Sequence, residues 1–252
     1  MPEDKPAHSH RGRRGPEFLH VPWTLTDLLV MVISWIGIQV VLILALGFLA
    51  GYVPAIREFL DGVKDGEILN LFALDMVDAL AGLGVIWLFL RKYRVGIRSL
   101  GWRPFDPGKA ILYIVGILLF FVVASALLLW LVSKLVPGFN ADQAQDNAFI
   151  ESAAQNRNLA LIALVLIPPI LEETIFRGFM FPVMARNWGV VWGAIGSSVV
   201  FGLAHFQANI SLYTFLLGLL LCFMYVKLKS IWPGIALHML NNYLAFLALS
   251  AK

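Results

Sequence analysis

The stretch Leu164-Val-Leu-Ile-Pro-Pro-Ile-Leu-Glu-Glu-Thr-Ile-Phe-Arg-Gly-Phe-Met-Phe-Pro182 decides how this chain must fold. It belongs to an apolar run over 159–185, which is long enough for a helix to cross a hydrocarbon core about 30 Å thick. Two acids and one arginine nevertheless stand near the middle of the run. Ionisable groups at that depth cost about 2.5 to 3.5 kcal/mol each on insertion scales, so they indicate a function by default.

Six further apolar runs accompany this one. The 252-residue chain is 60% hydrophobic and 14% charged, whereas soluble domains carry roughly 25% charged residues. A single cysteine excludes a disulfide scaffold, and abundant Leu, Ile, Val and Phe exclude a disordered chain. The composition predicts an all-α, polytopic transmembrane helical bundle of about seven to eight spans. The seven runs cover 28–50, 69–90, 110–134, 159–185, 188–205, 210–226 and 231–249.

The runs also predict the domain organisation. Residues 1–27 are expected to form a polar, basic tail, and 28–252 a single transmembrane helical domain with a motif-bearing catalytic core over 159–249. The first run has no small-residue cleavage site, which indicates a retained span rather than a signal peptide. The polar interruption over 137–158 predicts either a short surface helix capped by Asn140 or a mobile gate.

Lysine and arginine residues are distributed unevenly between the runs. Of the 19, four lie in the tail, six over 91–109, two at Arg177 and Arg186 and two at Lys227 and Lys229, so 14 fall on one side. Because cytoplasmic loops carry the basic excess, the tail is predicted to be cytoplasmic and, with seven spans, the C-terminus to be outside. The net charge of +3 is therefore a topology signal. Membrane lipids are the expected partners, and nucleic acid is not.

The acids of the fourth run divide into two roles. Adjacent helical residues point about 100° apart, which predicts that Glu172 and Glu173 do not face the same partner. Glu173 and Arg177 stand at i, i+4 in the order that pairs best, which leaves Glu172 free. Pro168 and Pro169 predict a break in the helix and a cavity beside Glu172. A Glu-Arg pair that merely joins two helices is the alternative.

Two later runs contain histidines. The fifth ends in Phe201-Gly-Leu-Ala-His205, and the seventh contains His238-Met-Leu-Asn-Asn242, in which His238 and Asn242 share one helical face. On straight helices His205 would lie about 26 Å from the cytoplasmic end, whereas His238 would lie only about 12 Å from it. A tilt, a break or a shifted helix start must therefore reconcile the two depths. An interfacial histidine and polar residues that join helices are the structural alternatives.

These side chains favour hydrolysis, because they include no obvious covalent nucleophile other than water. Glu172 and His205 can hold a water and accept its proton, while His238 and Asn242 can donate hydrogen bonds to a tetrahedral oxyanion. Glu172, His205 and His238 are also acceptable zinc ligands that leave a fourth position for water. The H-E-x-x-H helix signature is absent. Metal-free and zinc-dependent peptide hydrolysis both remain open.

The three segments carry a resemblance to a known family. Glu172-Glu-Thr-Ile-Phe-Arg177, Phe201-Gly-Leu-Ala-His205 and His238-Met-Leu-Asn-Asn242 resemble its E-E-x-x-x-R, F-x-x-x-H and H-x-x-x-N/B motifs. The family is that of the CAAX proteases and bacteriocin-processing enzymes, also called CPBP or Abi, and it includes the CAAX prenyl endopeptidase. The resemblance covers about a third of the chain.

The resemblance implies an intramembrane endopeptidase in a bacterial cytoplasmic membrane. Its members are often labelled metalloproteases, although a glutamate mechanism has been argued for the prenyl endopeptidase. The substrate would be a peptide or membrane protein, and prenylation is not carried over because bacteria generally lack prenylated CAAX proteins. The catalytic residues would be Glu172, His205, His238 and Asn242, with Glu173, Arg177 and Phe201 in support. A non-catalytic scaffold or regulator, binding partner helices or a sensor kinase, is the alternative.

The predicted topology can be tested with single cysteines in intact cells. An impermeant thiol reagent is expected to spare Arg94→Cys and Lys229→Cys and to label Lys64→Cys and Gln145→Cys, since the basic side faces the cytoplasm. The unsubstituted chain, whose only cysteine is Cys222, supplies the background. Labelling at position 94 would contradict the orientation.

Overall fold

The computed structural model describes residues 16–139, 156–205 and 207–250, and every regular element in these ranges is helical. The all-α prediction is therefore confirmed. The predicted helix capped by Asn140 lies outside the described residues. Two 3₁₀ turns, Glu17–Leu19 and Ile97–Leu100, accompany the α-helices. The α-helices are α1 Leu25–Leu49, α2 Pro54–Lys64, α3 Ile68–Tyr93, α4 Pro107–Leu135, α5 Arg157–Trp188, α6 Val190–Leu203, α7 Ala208–Leu228 and α8 Trp232–Ser250.

All seven predicted runs are helical, and together they form a polytopic membrane bundle. Within the described ranges, α1, α3, α4, α5 and α7 are long and apolar enough to cross a membrane. Helix α6 has only 14 residues. Helix α8 has 19 residues but is more polar, because it carries His238, Asn241 and Asn242. Helix α2, which begins at a proline, was not predicted, since its residues are mixed in polarity.

Helices α1 and α4 present large apolar side chains on the outside of the bundle. Leu44 of α1 and Leu112 of α4, for example, are 67% and 73% exposed. Continuous apolar surface of this kind is costly in water and is the normal outer face of a membrane bundle. The lipid-facing layer is therefore formed early in the chain, and the polar motifs lie in the later helices behind it.

The segment before α1 is packed into the bundle. Leu19, Val21 and Trp23 are buried. The Trp23 indole donates a hydrogen bond to the Phe179 carbonyl at 2.9 Å and stacks on the Phe179 ring with centroids 4.7 Å apart. The polar tail predicted over 1–27 therefore does not extend to residue 27, because alternate residues from Leu19 onward bury apolar side chains.

Helix α6 lies between the C-terminal part of α5 and α7, and glycines allow the close approach. A Cβ on Gly193 would stand 2.5 Å from the Ala185 amide nitrogen, and a Cβ on Gly218 would stand 2.9 Å from the Ser198 Cβ. Small residues let membrane helices bring their backbones together where no hydrophobic force drives association. This approach places the end of α6 beside the motif residues of α5 and α8.

The α5–α6 contact can be tested by Gly193→Ala. The added methyl group meets backbone atoms that have no freedom to rotate away, so a loss of about 1 to 3 kcal/mol in unfolding free energy is expected. Gly37→Ala in α1 is the matched control, because no atom lies within 4 Å of its Cβ position. Thermal unfolding in detergent compares them. Equal melting temperatures for the two variants would mean that the helices are not in contact at Gly193.

Candidate active site

Helix α5 passes through its tandem prolines without a break. It runs continuously over Arg157–Trp188, and its geometry changes to a π-helix at Leu161–Leu166 and again at Glu173–Met180. The helix break predicted at Pro168 and Pro169 is therefore wrong. Proline removes a backbone donor, but its φ angle suits a helix, and neighbouring groups can replace the lost bonds. π-Helical segments are rare and occur frequently at functional sites.

Because the two prolines donate no backbone hydrogen bonds, one carbonyl of α5 receives its hydrogen bond from a side chain. Pro168 and Pro169 stand four and five residues after Leu164, so neither an α-type nor a π-type bond can reach the Leu164 carbonyl. The Asn242 amide of α8 fills this position, since its Nδ2 donates to the Leu164 oxygen at 3.0 Å. The motif asparagine therefore joins α8 to α5 at the prolines.

The two adjacent glutamates differ in exposure and in partners. Glu173 is buried, and its Oε1 accepts a hydrogen bond from Nη1 of Arg177 at 2.7 Å, as the i, i+4 spacing predicted. Glu172 is 28% exposed at its side chain and has no arginine partner among the residues that the structure describes. Of the two acids, Glu172 is therefore the one that water or a substrate can reach.

His238 contacts both glutamates, contrary to the prediction that they face different partners. Its Nδ1 is 3.3 Å from Glu173 Oε1, and its Nε2 is 3.5 Å from Glu172 Oε2. The carboxylates do diverge, but the imidazole ring lies between them and presents one nitrogen to each. Since carboxylates only accept hydrogen bonds, the contact with Glu172 requires a proton on Nε2 or on the acid.

Phe201 brings the other histidine to the same place. Its ring meets the His205 ring edge-to-face at 5.1 Å and the His238 ring at 5.8 Å, and the Arg177 guanidinium lies 4.4 Å from its centre. The different membrane depths predicted for His205 and His238 on straight helices therefore do not apply. Helix α6 starts at Val190, after Gly189 turns the chain with φ +87°, and it ends two residues before His205.

His205 has one ring nitrogen engaged by the backbone. Its Nδ1 lies 2.9 Å from the Phe201 carbonyl oxygen. A carbonyl only accepts, so Nδ1 carries the proton and the neutral ring presents Nε2 as an acceptor. The predicted helical run extended to His205, whereas the structure places this residue in the turn between α6 and α7, with its side chain partly exposed.

Two polar residues beside the motifs were missed by the sequence prediction. The Tyr213 hydroxyl donates to Oδ1 of Asn241 at 2.5 Å, and Nδ2 of Asn241 donates to Oδ1 of Asn242 at 3.3 Å. Asn241 is visible in the sequence as the neighbour of a motif residue. Tyr213 has no such signal, because it belongs to α7 and reaches α8 only in the folded bundle.

A catalytic zinc ion usually needs three converging protein ligands and one open position. In the part of the chain that the structure describes, no group of three His, Cys, Asp or Glu side chains is placed to hold a metal ion. Glu172, His205 and His238 therefore do not converge as a ligand set. What they offer directly is a reachable carboxylate, two imidazoles and a carboxamide, which suit proton transfer and oxyanion binding.

Loss of a basic side chain should lower the unfolding free energy far more at the buried ion pair than at an exposed one. Arg177→Ala is expected to cost about 3 to 5 kcal/mol of unfolding free energy, because it leaves the Glu173 carboxylate buried without its arginine. Lys64→Ala, which removes the partner of Asp61 in an exposed pair, is the control and should cost little. Thermal unfolding in detergent measures both. Partial recovery in Glu173→Gln/Arg177→Met would confirm the cause, and equal losses in the two single variants would contradict it.

Comparison with known proteins gives two matches, each to a part of the chain. Residues 154–244 match the family model described as type II CAAX prenyl endopeptidase Rce1-like. A Bacillus subtilis (strain 168) protein named "Putative membrane peptidase YdiL" is 31% identical over 101 residues, which are 40% of this chain and 41% of that protein. The chain thus matches about two fifths of the length of this curated relative. No solved structure matches significantly. The residues that match the family model contain all three motifs, so the later helices of this chain are similar to those of the type II CAAX prenyl endopeptidases.

Proposed function

We propose that this protein is an intramembrane peptidase that cleaves its substrate with a water activated by Glu172 and His205. The observation that carries the proposal is the contrast between the two glutamates. Glu173 is neutralised by Arg177, whereas Glu172 is partly exposed beside His238. An ionisable group at membrane depth is costly, so Glu172, which lacks the arginine partner that Glu173 has, calls for a purpose other than ion pairing. General-base chemistry gives it one.

The proposed base lies on α5 and its helper in the turn after α6, and together they would hold the water. Glu172 accepts the proton of the water, and Nε2 of His205 accepts the second hydrogen bond that keeps the oxygen directed at the substrate. His205 suits this task because the Phe201 carbonyl holds the proton on Nδ1. Phe201 fixes the ring from the side as well, by edge-to-face contact.

The proposed oxyanion donors are His238 and Asn242. Asn242 uses one amide hydrogen on the Leu164 carbonyl, which leaves the other for the substrate. His238 contacts Glu173 through Nδ1, and its Nε2 is the nitrogen that would donate to the oxyanion. Donors held before the reaction starts are usually the largest single contribution to such catalysis.

The proposed reaction balances without a further reactant. The water oxygen bonds to the peptide carbonyl carbon while one water proton passes to Glu172, and the carbonyl oxygen becomes an oxyanion. When this intermediate collapses, the carbon–nitrogen bond breaks and Glu172 returns the proton to the leaving amine. The products are a carboxylic acid and an amine, and Glu172 is again ionised.

The setting is part of the same proposal. The substrate is a peptide or a membrane-protein segment that reaches the site from the bilayer, and the membrane is the cytoplasmic membrane of a bacterium, with the N-terminus on the cytoplasmic side. The apolar outer face of α1 and α4 supports contact with lipid. The Bacillus subtilis relative, named "Putative membrane peptidase YdiL", supports a peptidase activity in a membrane.

Glu172→Gln is the deciding variant. It is expected to lower kcat for a membrane-embedded peptide by about 10² to 10⁴-fold, the range of a general base, while the melting temperature in detergent changes little. Glu58→Gln, an exposed acid on α2, is the matched control and should keep full activity. Unchanged cleavage by Glu172→Gln would contradict the mechanism. If the cellular function of the protein also survives this change, the scaffold alternative is favoured.

Metal analysis of the same preparations separates the two hydrolytic mechanisms. With a water activated by Glu172 and His205 alone, chelators are expected to leave the activity of the purified protein unchanged. Zinc near one ion per chain, lost together with activity in His238→Ala and needed to restore activity after chelation, would instead establish a metal-dependent enzyme.

A further inference from the structure

We infer that Tyr213 and Asn241 are positioning residues that hold the Asn242 amide in its productive orientation. The inference deepens the proposed function and rests on it, since it assigns the groups that act on a proposed oxyanion donor. Tyr213 lies outside the three motifs, and Asn241 occupies a variable position of the third. Both are connected to Asn242 by consecutive hydrogen bonds, from the Tyr213 hydroxyl to Asn241 and from Asn241 to Asn242.

The orientation of Asn242 is dictated by its first partner. The Leu164 carbonyl can only accept, so the amide nitrogen of Asn242, not its oxygen, must face it. The prolines that follow Leu164 leave this carbonyl without a helical donor, so losing the contact would leave an unsatisfied group inside the membrane. Oδ1 of Asn242 consequently points the other way, toward Asn241.

The orientation of each further side chain in this series of hydrogen bonds is set by the one before it. Because Oδ1 of Asn242 accepts, Asn241 must present its amide nitrogen to it, and its own oxygen then faces Tyr213. The Tyr213 hydroxyl supplies the donor that this oxygen needs. All three bonds therefore run in one direction, from Tyr213 through Asn241 and Asn242 to Leu164. Reversing one amide would place two acceptors or two donors against each other.

Packing fixes Tyr213, which stands at the far end of this series of hydrogen bonds. The Tyr213 ring meets the Phe121 ring of α4 edge-to-face at 4.6 Å, and Phe121 is fully buried. Asn241 is only 6% exposed, whereas Asn242 is partly exposed. Tyr213 and Asn241 thus act behind Asn242 rather than on the substrate. Their effect is to keep the second amide hydrogen of Asn242, and not its oxygen, directed at the reacting carbonyl.

The expected kinetic signature is a loss of turnover without a loss of binding. Tyr213→Phe removes one neutral hydrogen bond, worth about 1 kcal/mol, and is expected to lower kcat about fivefold while KM stays constant. Asn241→Leu, which removes both bonds, should lower kcat further. Asn242→Ala should lower it by about 10² to 10³-fold, the usual loss for one oxyanion donor. Tyr113→Phe, a partly buried tyrosine of α4 beside Phe223, is the matched control and should leave kcat unchanged.

The double variant distinguishes positioning from general structural support. If Tyr213 acts only through Asn242, then Tyr213→Phe has no further effect on kcat in the Asn242→Ala background. Fully additive losses of kcat, or a rise in KM with constant kcat, would overturn the inference. So would wild-type kcat in Tyr213→Phe, provided that the unaltered protein cleaves its substrate and Glu172→Gln does not.

A stability measurement keeps the inference independent of the proposed activity. Melting temperatures of Tyr213→Phe, Asn242→Ala and the double variant in detergent report whether the two side chains are coupled. Losses smaller than additive would support the hydrogen-bonded chain even if no peptide is cleaved, in which case only the proposed function fails. Additive losses in a protein without peptidase activity would overturn the positioning assignment as well.

Discussion

The buried pair of Glu173 and Arg177 is the contact on which the rest of the site depends. One oxygen of Glu173 lies against both Arg177 and His238, and the Arg177 guanidinium covers one face of Phe201. Phe201 in turn contacts the rings of both histidines. Three helices are thereby fixed around a single internal charge pair. Such a pair is expensive to bury, and breaking it costs far more than replacing it whole.

The demand for satisfied backbone groups sets the second constraint. Two prolines in the middle of a membrane helix free the Leu164 carbonyl, and water is not available there to hydrate it. The Asn242 amide meets this demand and in doing so acquires a fixed orientation. A structural requirement of α5 is therefore answered by the same side chain that is proposed to stabilise the oxyanion. The two roles use different hydrogens of one amide, so they do not compete.

Much of this arrangement could be predicted from the sequence because it is local. The seven apolar runs follow from the thickness of a bilayer, and the Glu173–Arg177 pair follows from the helical repeat. The clustering of the motifs, by contrast, was suggested only by their occurrence together and by family resemblance. The catalytic roles of Glu172, His205, His238 and Asn242 remain predictions.

The remainder could not be predicted because it depends on contacts between distant helices. Spacing along α5 separates Glu172 from Glu173, yet a ring from α8 inserts between them and touches both. The continuation of α5 through its prolines depends in the same way on a donor from α8. Tyr213 shows no sign of its partner in the sequence around it, since apolar residues dominate α7. Local sequence patterns indicate which side chains are costly to bury in a membrane. They do not indicate which distant residues offset that cost.

The packed segment before α1 has a consequence for how the protein is made. Trp23 bonds to Phe179, and Arg186 donates to the Trp23 carbonyl, contacts that join residues more than 150 positions apart. During synthesis the first helix therefore enters the bilayer long before the residues that fasten its leading end exist. Before then its side-chain partners are on α3, where Lys92 pairs with Asp27 and Asp78 accepts a hydrogen bond from Trp35. The contacts between the segment before α1 and helix α5 thus form only after α5 has been synthesised. A chain shortened at its amino terminus would lose them.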